Sequence, residues 1–312
     1  MDPASAIMAD GARLLQYLGA VVLFGTAWFN LTRLPRSGEA SASRQAWPKP
    51  LFISAAAALL IGSILSLLAQ SATMNGMPLA KLDLPALDTV LADTQWGHAT
   101  AARIALALLA VVITLILRLS TAFFVILAGL GALCLTSFAF TGHGAADDGP
   151  AGTVHLLSDM IHSVAAGVWL GALAGFLILL TRRSATNEPH RAALAQALSD
   201  FSSTGTLMVA TLVVTGLVNG YFLVGIQGLG KIFTSAYGRL LVLKLILFTA
   251  MVGLAAVNRF RLLPALKRPP TPESHAAAIF ALRRSVTVEA LFGIAVLGLV
   301  AVFGMMEPPA SM

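Results

Sequence analysis

Charge is scarce in this chain. Only 11% of its 312 residues are Asp, Glu, Lys or Arg, against about 25% in an average soluble domain. That leaves too little polar surface to cover a water-soluble globule. Cysteine is scarcer still: Cys134 stands alone, inside an apolar run. This excludes a disulfide framework within the chain and any Cys-x-x-Cys metal site, and Cys134 reads as a small buried hydrophobe. Acid is in deficit, with 14 Asp and Glu against 20 Lys and Arg and a net charge of +6. In a soluble protein that balance suggests nucleic acid. Here no basic stretch is interleaved with aromatics, and the basic residues cluster between apolar runs. The first residues carry Asp2 and Asp10, no basic stretch and no Ala-x-Ala site after the first apolar run. The expectation is an uncleaved start with its first helix retained.

What is abundant is hydrocarbon. Hydrophobic residues make up 57% of the chain, and mean hydropathy is +0.84. A bilayer core ~30 Å thick needs about 20 apolar residues to cross it. Eight runs qualify, at roughly 12–32, 51–71, 98–118, 121–140, 153–181, 204–224, 239–258 and 285–305. Unpaired backbone is not tolerated in lipid, so each run predicts a helix. The fold class is therefore all-α: a polytopic integral membrane protein forming one transmembrane domain over 1–312.

The segments after runs one, three, five and seven hold Arg33, Arg36, Arg44, Lys49, Arg118, Arg182, Arg183, Arg191, Arg259, Arg261, Lys267, Arg268, Arg283 and Arg284. The opposite loops hold mainly Lys81, Lys231 and five aspartates. The positive-inside rule then places both termini outside and the basic loops in the cytoplasm. A weak repeat runs through the chain. Gly97, Arg103 and Arg118 share their spacing with Gly238, Lys244 and Arg259; Gly25 matches Gly167. Four helices repeated once would give parallel halves, about 1–150 and 151–312, a plan that transporters use.

The fifth run carries the most chemistry. His155, Asp159 and His162 stand at i, i+4 and i+7 and share one helical face. Gly167, Gly171 and Gly175 form a small-residue stripe on roughly the opposite face, which suits close helix packing. Ionisable groups at membrane depth are costly and mark a site or a pathway. The plainer alternative is an Asp–His pair that only fixes packing. Imidazole and thioether are both copper ligands. The two histidines lie ~10 Å apart along the axis, too far to share one ion easily but suited to two steps on a path. Upstream, His143 sits on a glycine-flanked turn, Thr141-Gly142-His143-Gly144, and His98 begins the third run at the same end. Met74 and Met77, and Met305 and Met306, cluster there too. His190 and His275 fall in basic loops and are expected to be solvated. Other polar intrusions are Arg103, Lys244, Glu289 and a Thr211/Thr215/Asn219 stripe. Arg103 and Lys244 are expected to snorkel or to neutralise Asp159; Glu289, near the inner end, would line an exit.

Gly225-Ile-Gln-Gly-Leu-Gly230-Lys231 imitates a P-loop, but Ile232 replaces its Ser/Thr and no strand precedes it. No loop is long enough for an ATPase domain, so no ATP is expected.

Several segments together resemble the copper resistance protein D family of bacterial inner-membrane proteins. They are His155 to His162 with Trp169-Leu-Gly171; Tyr237 to Lys244 through Asn258-Arg259-Phe260-Arg261; and Leu282 to Val286 with Glu289, ending in Pro308-Pro309. Phe201 to Gly225 belongs with them. The first half is similar more loosely, through Gly97 to Arg103 and Thr141 to His143. The resemblance implies eight helices and a role in copper homeostasis, moving copper from periplasm to cytoplasm. It also implies a small periplasmic copper-binding partner, here expected as a separate chain. The expected ligands are His155, His162, His143, His98, Asp159, Met74 and Met77, with Arg103, Lys244, Asn219 and Glu289 as pathway or structural polar groups. The ion is copper, no organic cofactor is expected, and no catalysed reaction is implied. Competing readings are a haem-binding or quinone-linked electron carrier, a copper sensor or assembly factor without flux, and a proton-linked transporter of another substrate.

Overall fold

A computed structural model describes residues 3–34, 47–145, 149–181, 188–267 and 272–311. Among the described residues there is helix and no strand. Eight helices are long and apolar enough to cross a membrane: α1 (Ser5–Arg33), α2 (Lys49–Met74), α4 (Gln95–Ile116), α5 (Thr121–Thr141), α6 (Gly149–Thr181), α7 (Ala192–Leu223), α8 (Ala236–Leu266) and α9 (Ala276–Phe303). A short helix, α3 (Leu84–Asp93), links α2 to α4.

All eight expected spans are present, with displaced ends. α1, α7 and α9 start well before the apolar runs, and α8 continues past its run. Hydropathy falls where charges begin, whereas the helical hydrogen-bond ladder continues beyond the hydrocarbon. α3 lies in a segment read as loop.

Helix starts follow local chemistry. Thr94 Oγ1 accepts from Gly97 N at 2.8 Å and Ser235 Oγ accepts from Gly238 N at 3.1 Å. Ser120 and Asp83 cap α5 and α3 in the same way. Such caps satisfy amides that have no partner in the first turn.

The core lies between α1, α5 and α6. In both α1 and α6, 61% of the central residues are buried, against 6% in α8. Aromatic edges fill it: Phe52, Phe123 and Phe124 pack edge to face, as do Phe29 and Phe176. The glycine stripe of α6 faces α1. A Cβ on Gly171 would overlap the backbone of Gly25, and one on Gly175 would strike the Phe29 ring. α1 changes to a π-helical turn at Val22–Thr26, around this crossing. Outward positions such as Leu109, Leu115, Val214, Leu217, Ile246 and Leu291 are exposed hydrocarbon, the surface that lipid requires.

α1 packs on α9 and α5 on α6, while α2 packs along α4. α7 and α8 approach each other chiefly near 258–267. Above that point they splay, leaving a groove of about 520 Å³.

Candidate metal-binding cavity

The splayed helices expose a polar interior. A cavity of about 220 Å³ lies between α1, α5, α6, α7, α8 and α9. It is lined by His143, His155, Asp159, His162, Asn219 and Lys244, with Arg13, Tyr17 and Tyr237. These polar groups come from five elements and share one end of the bundle.

The two polar stripes face each other. Asn219 Nδ2 donates to Asp159 Oδ1 at 3.3 Å, and Ser158 Oγ donates to Thr215 O at 3.2 Å. His162 Nδ1 and Thr215 Oγ1 lie 2.8 Å apart. Thr215 has one hydroxyl proton, which it gives to Thr211 O at 2.6 Å. With the proton there, its oxygen accepts from His162 Nδ1–H, and Nε2 keeps its lone pair, on a ring that lines the cavity. Orienting a ligand histidine through its other nitrogen is the usual way a protein prepares it for a metal.

His155 is almost fully enclosed, 2% exposed, with its ring stacked on Phe222 at 4.6 Å and 4°. The His143 turn closes the cavity from above. A Cβ on Gly144 would stand 3.3 Å from Asp159 Oδ2, so glycine lets the turn lie against the carboxylate. Lys244 Nζ sits over the Phe303 ring at 5.8 Å and lines the same cavity as Asp159.

The other expected ligands lie elsewhere. His98 is exposed at the start of α4, its Nε2 2.9 Å from Ala92 O. Met74 ends α2, 46% exposed, and Met77 follows in the next turn. None of the three lines the cavity. The side chains of His190 and His275 lie outside the described residues.

Arg103 neither snorkels nor meets Asp159. It is 1% exposed and bonds to Ser137 Oγ, Ser137 O, Gln16 Oε1 and Thr141 Oγ1 at 2.8–3.1 Å. It thereby clamps the last turn of α5, from which the His143 turn departs. Sequence reading missed Arg13 and Tyr17. Their i, i+4 spacing, now a 2.8 Å hydrogen bond, was the available signal.

Glu289 is also buried, 1% exposed. Its Oε1 accepts from Trp169 Nε1 at 2.9 Å and its Oε2 from Asn258 Nδ2 at 3.0 Å. Among the described residues no three His, Cys, Asp or Glu side chains converge on one point as a metal site. His143 lines the cavity from the turn, and His155, Asp159 and His162 line it from successive positions of α6.

Fold and cavity together define an eight-helix membrane protein with a histidine–carboxylate chamber between its helices. The sequence comparisons agree in kind. Residues 4–153 match the model of the copper resistance protein D-like N-terminal domain, and residues 195–303 that of copper resistance protein D. Copper resistance protein D of Pseudomonas syringae pv. tomato is 34% identical over 98% of this chain and 97% of its own length. The inner membrane protein YebZ of Escherichia coli K12 is 27% identical over 79% and 80%. The copper transport protein CutJ of Bacillus subtilis is 30% identical over 56% of this chain and 29% of its own. No solved structure matches. The chain belongs to the copper resistance protein D family and is a multi-pass inner-membrane protein.

Proposed function

We propose that this protein is a copper permease that moves copper from periplasm to cytoplasm in copper homeostasis. The observation that carries the reading is the gathering of His143, His155, Asp159 and His162 around one cavity between six spans. Copper is the substrate: it is captured at the His143 turn, passes His155 beside Asp159, and reaches the lone pair of His162 Nε2. Spaced weak stations let an ion leave as readily as it arrives. With both termini periplasmic, the cavity faces the periplasm. The inward-negative potential then favours a cation's passage by ~2.3 kcal/mol per charge per 100 mV, and ATP has no part. A separate periplasmic copper-binding protein delivers the ion.

On the same reading the chain is two four-helix halves. In support, Thr94, Gly97 and Arg103 recur as Ser235, Gly238 and Lys244, cap for cap. Gly25 also crosses its counterpart Gly167.

The test is copper flux into proteoliposomes, with His155→Ala and His162→Ala compared with wild type after checking that each is folded. Wild-type flux abolished by either substitution supports the pathway. Binding without flux in wild type would make the protein a copper-binding component instead.

A further inference from the structure

A second cavity, of about 320 Å³, lies beyond the chamber, beside Glu289 and Asn258. Among the described residues Trp169 alone lines both this cavity and the groove holding His162 and Lys244. Its indole therefore stands between the copper stations and the second cavity. The indole is tied to Glu289 Oε1 at 2.9 Å.

Glu289 is held by two neutral donors, Trp169 and Asn258. Arg259 is the only other charged group lining its cavity among the described residues. That guanidinium is engaged by Thr206 Oγ1 and Ser202 O on α7. α6 presents Trp169, α7 presents Ser202 and Thr206, and α8 presents Asn258 and Arg259. A carboxylate so placed has no ion-pair partner among the described residues, and an unpaired charge at membrane depth is costly. Asn258 shows how the cost is met. Its Nδ2 donates to Glu289 Oε2, while its own Oδ1 is buried with no hydrogen-bond partner. Turning that amide over presents Oδ1 to a carboxylic O–H. The one side chain thus serves both forms of Glu289, as donor to the carboxylate and as acceptor from the acid.

We propose that Glu289 is a proton-binding site that gates passage between the two cavities through Trp169. The gating part rests on the permease reading; the proton site does not. The ionised carboxylate holds the indole by a charge-assisted bond, which is roughly twice as strong as a neutral one. A hydronium ion from the aqueous phase at that end of the bundle gives up its proton to form the O–H and leaves as water, the Asn258 amide turns over to accept the O–H, and the bond to Trp169 weakens. The indole is then free to swing aside. Return of the proton to a water molecule of that phase restores the latch.

Two measurements test this. First, Trp169 emission is followed against pH in detergent without copper, as wild type minus Trp169→Phe. A titration that Glu289→Gln removes and Glu289→Asp retains is the expected result. A flat profile, or one that survives in Glu289→Gln, overturns the proton site. Second, copper flux is measured in proteoliposomes with pH set separately on each side. Wild-type flux should be about fivefold faster when the Glu289 side is acid, the ratio set by exchanging a charge-assisted for a neutral hydrogen bond. Glu289→Gln should be fast at either pH on that side. Equal pH dependence in both proteins overturns the gate. If wild type carries no copper while the emission titration behaves as expected, the permease reading and the gate fall and the proton site stands.

Discussion

The hydrogen bond between His162 and Thr215 makes a sharp prediction. Replacing Thr215 by Val keeps the shape and removes the oxygen that accepts Nδ1–H. The helix loses little, because the Thr215 hydroxyl only back-bonds to the Thr211 carbonyl of its own helix. His162 loses its tautomer lock and keeps a buried N–H without a partner. Loss of such an outer partner typically lowers metal affinity ~10–100-fold, or about 1.4–2.7 kcal/mol. The assay is a copper(I) titration in nanodiscs against a competing chelator, with thermal unfolding in parallel. Thr215→Val should bind copper 10–100-fold less tightly, Thr215→Ser should restore binding, and the unfolding free energy of Thr215→Val should fall by no more than the about 1–3 kcal/mol that one buried N–H without a partner costs. Wild-type affinity in Thr215→Val, with His162→Ala impaired, would show that His162 does not bind through Nε2 and would refute the tautomer argument.

Two further substitutions probe the frame around the cavity. Arg103→Met orphans four acceptors on Ser137, Gln16 and Thr141, and at about 1–3 kcal/mol for each such group left buried it should destabilise by roughly 4 kcal/mol or more. The readout is the denaturant midpoint, together with weaker copper binding as the His143 turn loosens. Gly171→Val drives a side chain into the Gly25 backbone. The cost should exceed the ~1–3 kcal/mol of ordinary overpacking, so most of the protein should elute aggregated in size exclusion.

Sequence reading reached the spans because lipid imposes a one-dimensional signal, a run of apolar residues of fixed length. Their ends escaped it, since Asp200 and Arg283 lie in helix that precedes an apolar core and Arg259 in helix that follows one. The α6 stripe of His155, Asp159 and His162 was legible from spacing, and so was the Thr211/Thr215/Asn219 stripe. That Thr215 meets His162 and Asn219 meets Asp159 was not, because helical periodicity says which residues share a face and nothing of what that face meets. His98, Met74 and Met77 were grouped with His143 by position along the chain. They stand at helix ends around α3, away from the cavity, because membrane depth is one coordinate of three. Arg103 failed for a related reason. Its depth suggested snorkelling, whereas four acceptors from α1 and α5 surround it.

The crossing of Gly25 with Gly167 and Gly171 limits how this molecule can move. Backbone lies on backbone there, with no side chains to slide, tilt or change rotamer between the helices. α1 and α6 therefore behave as a welded spindle, and on the two-half plan proposed above, rocking one half against the other would have to break it. α7 is tied to α6 through Thr215 and Asn219, whereas α7 and α8 face each other across an open groove and meet chiefly at one end. On the permease reading, a stroke that opens the groove belongs to α8, pivoting near 258–267 where the second π-helical turn, Asn258–Leu262, lies.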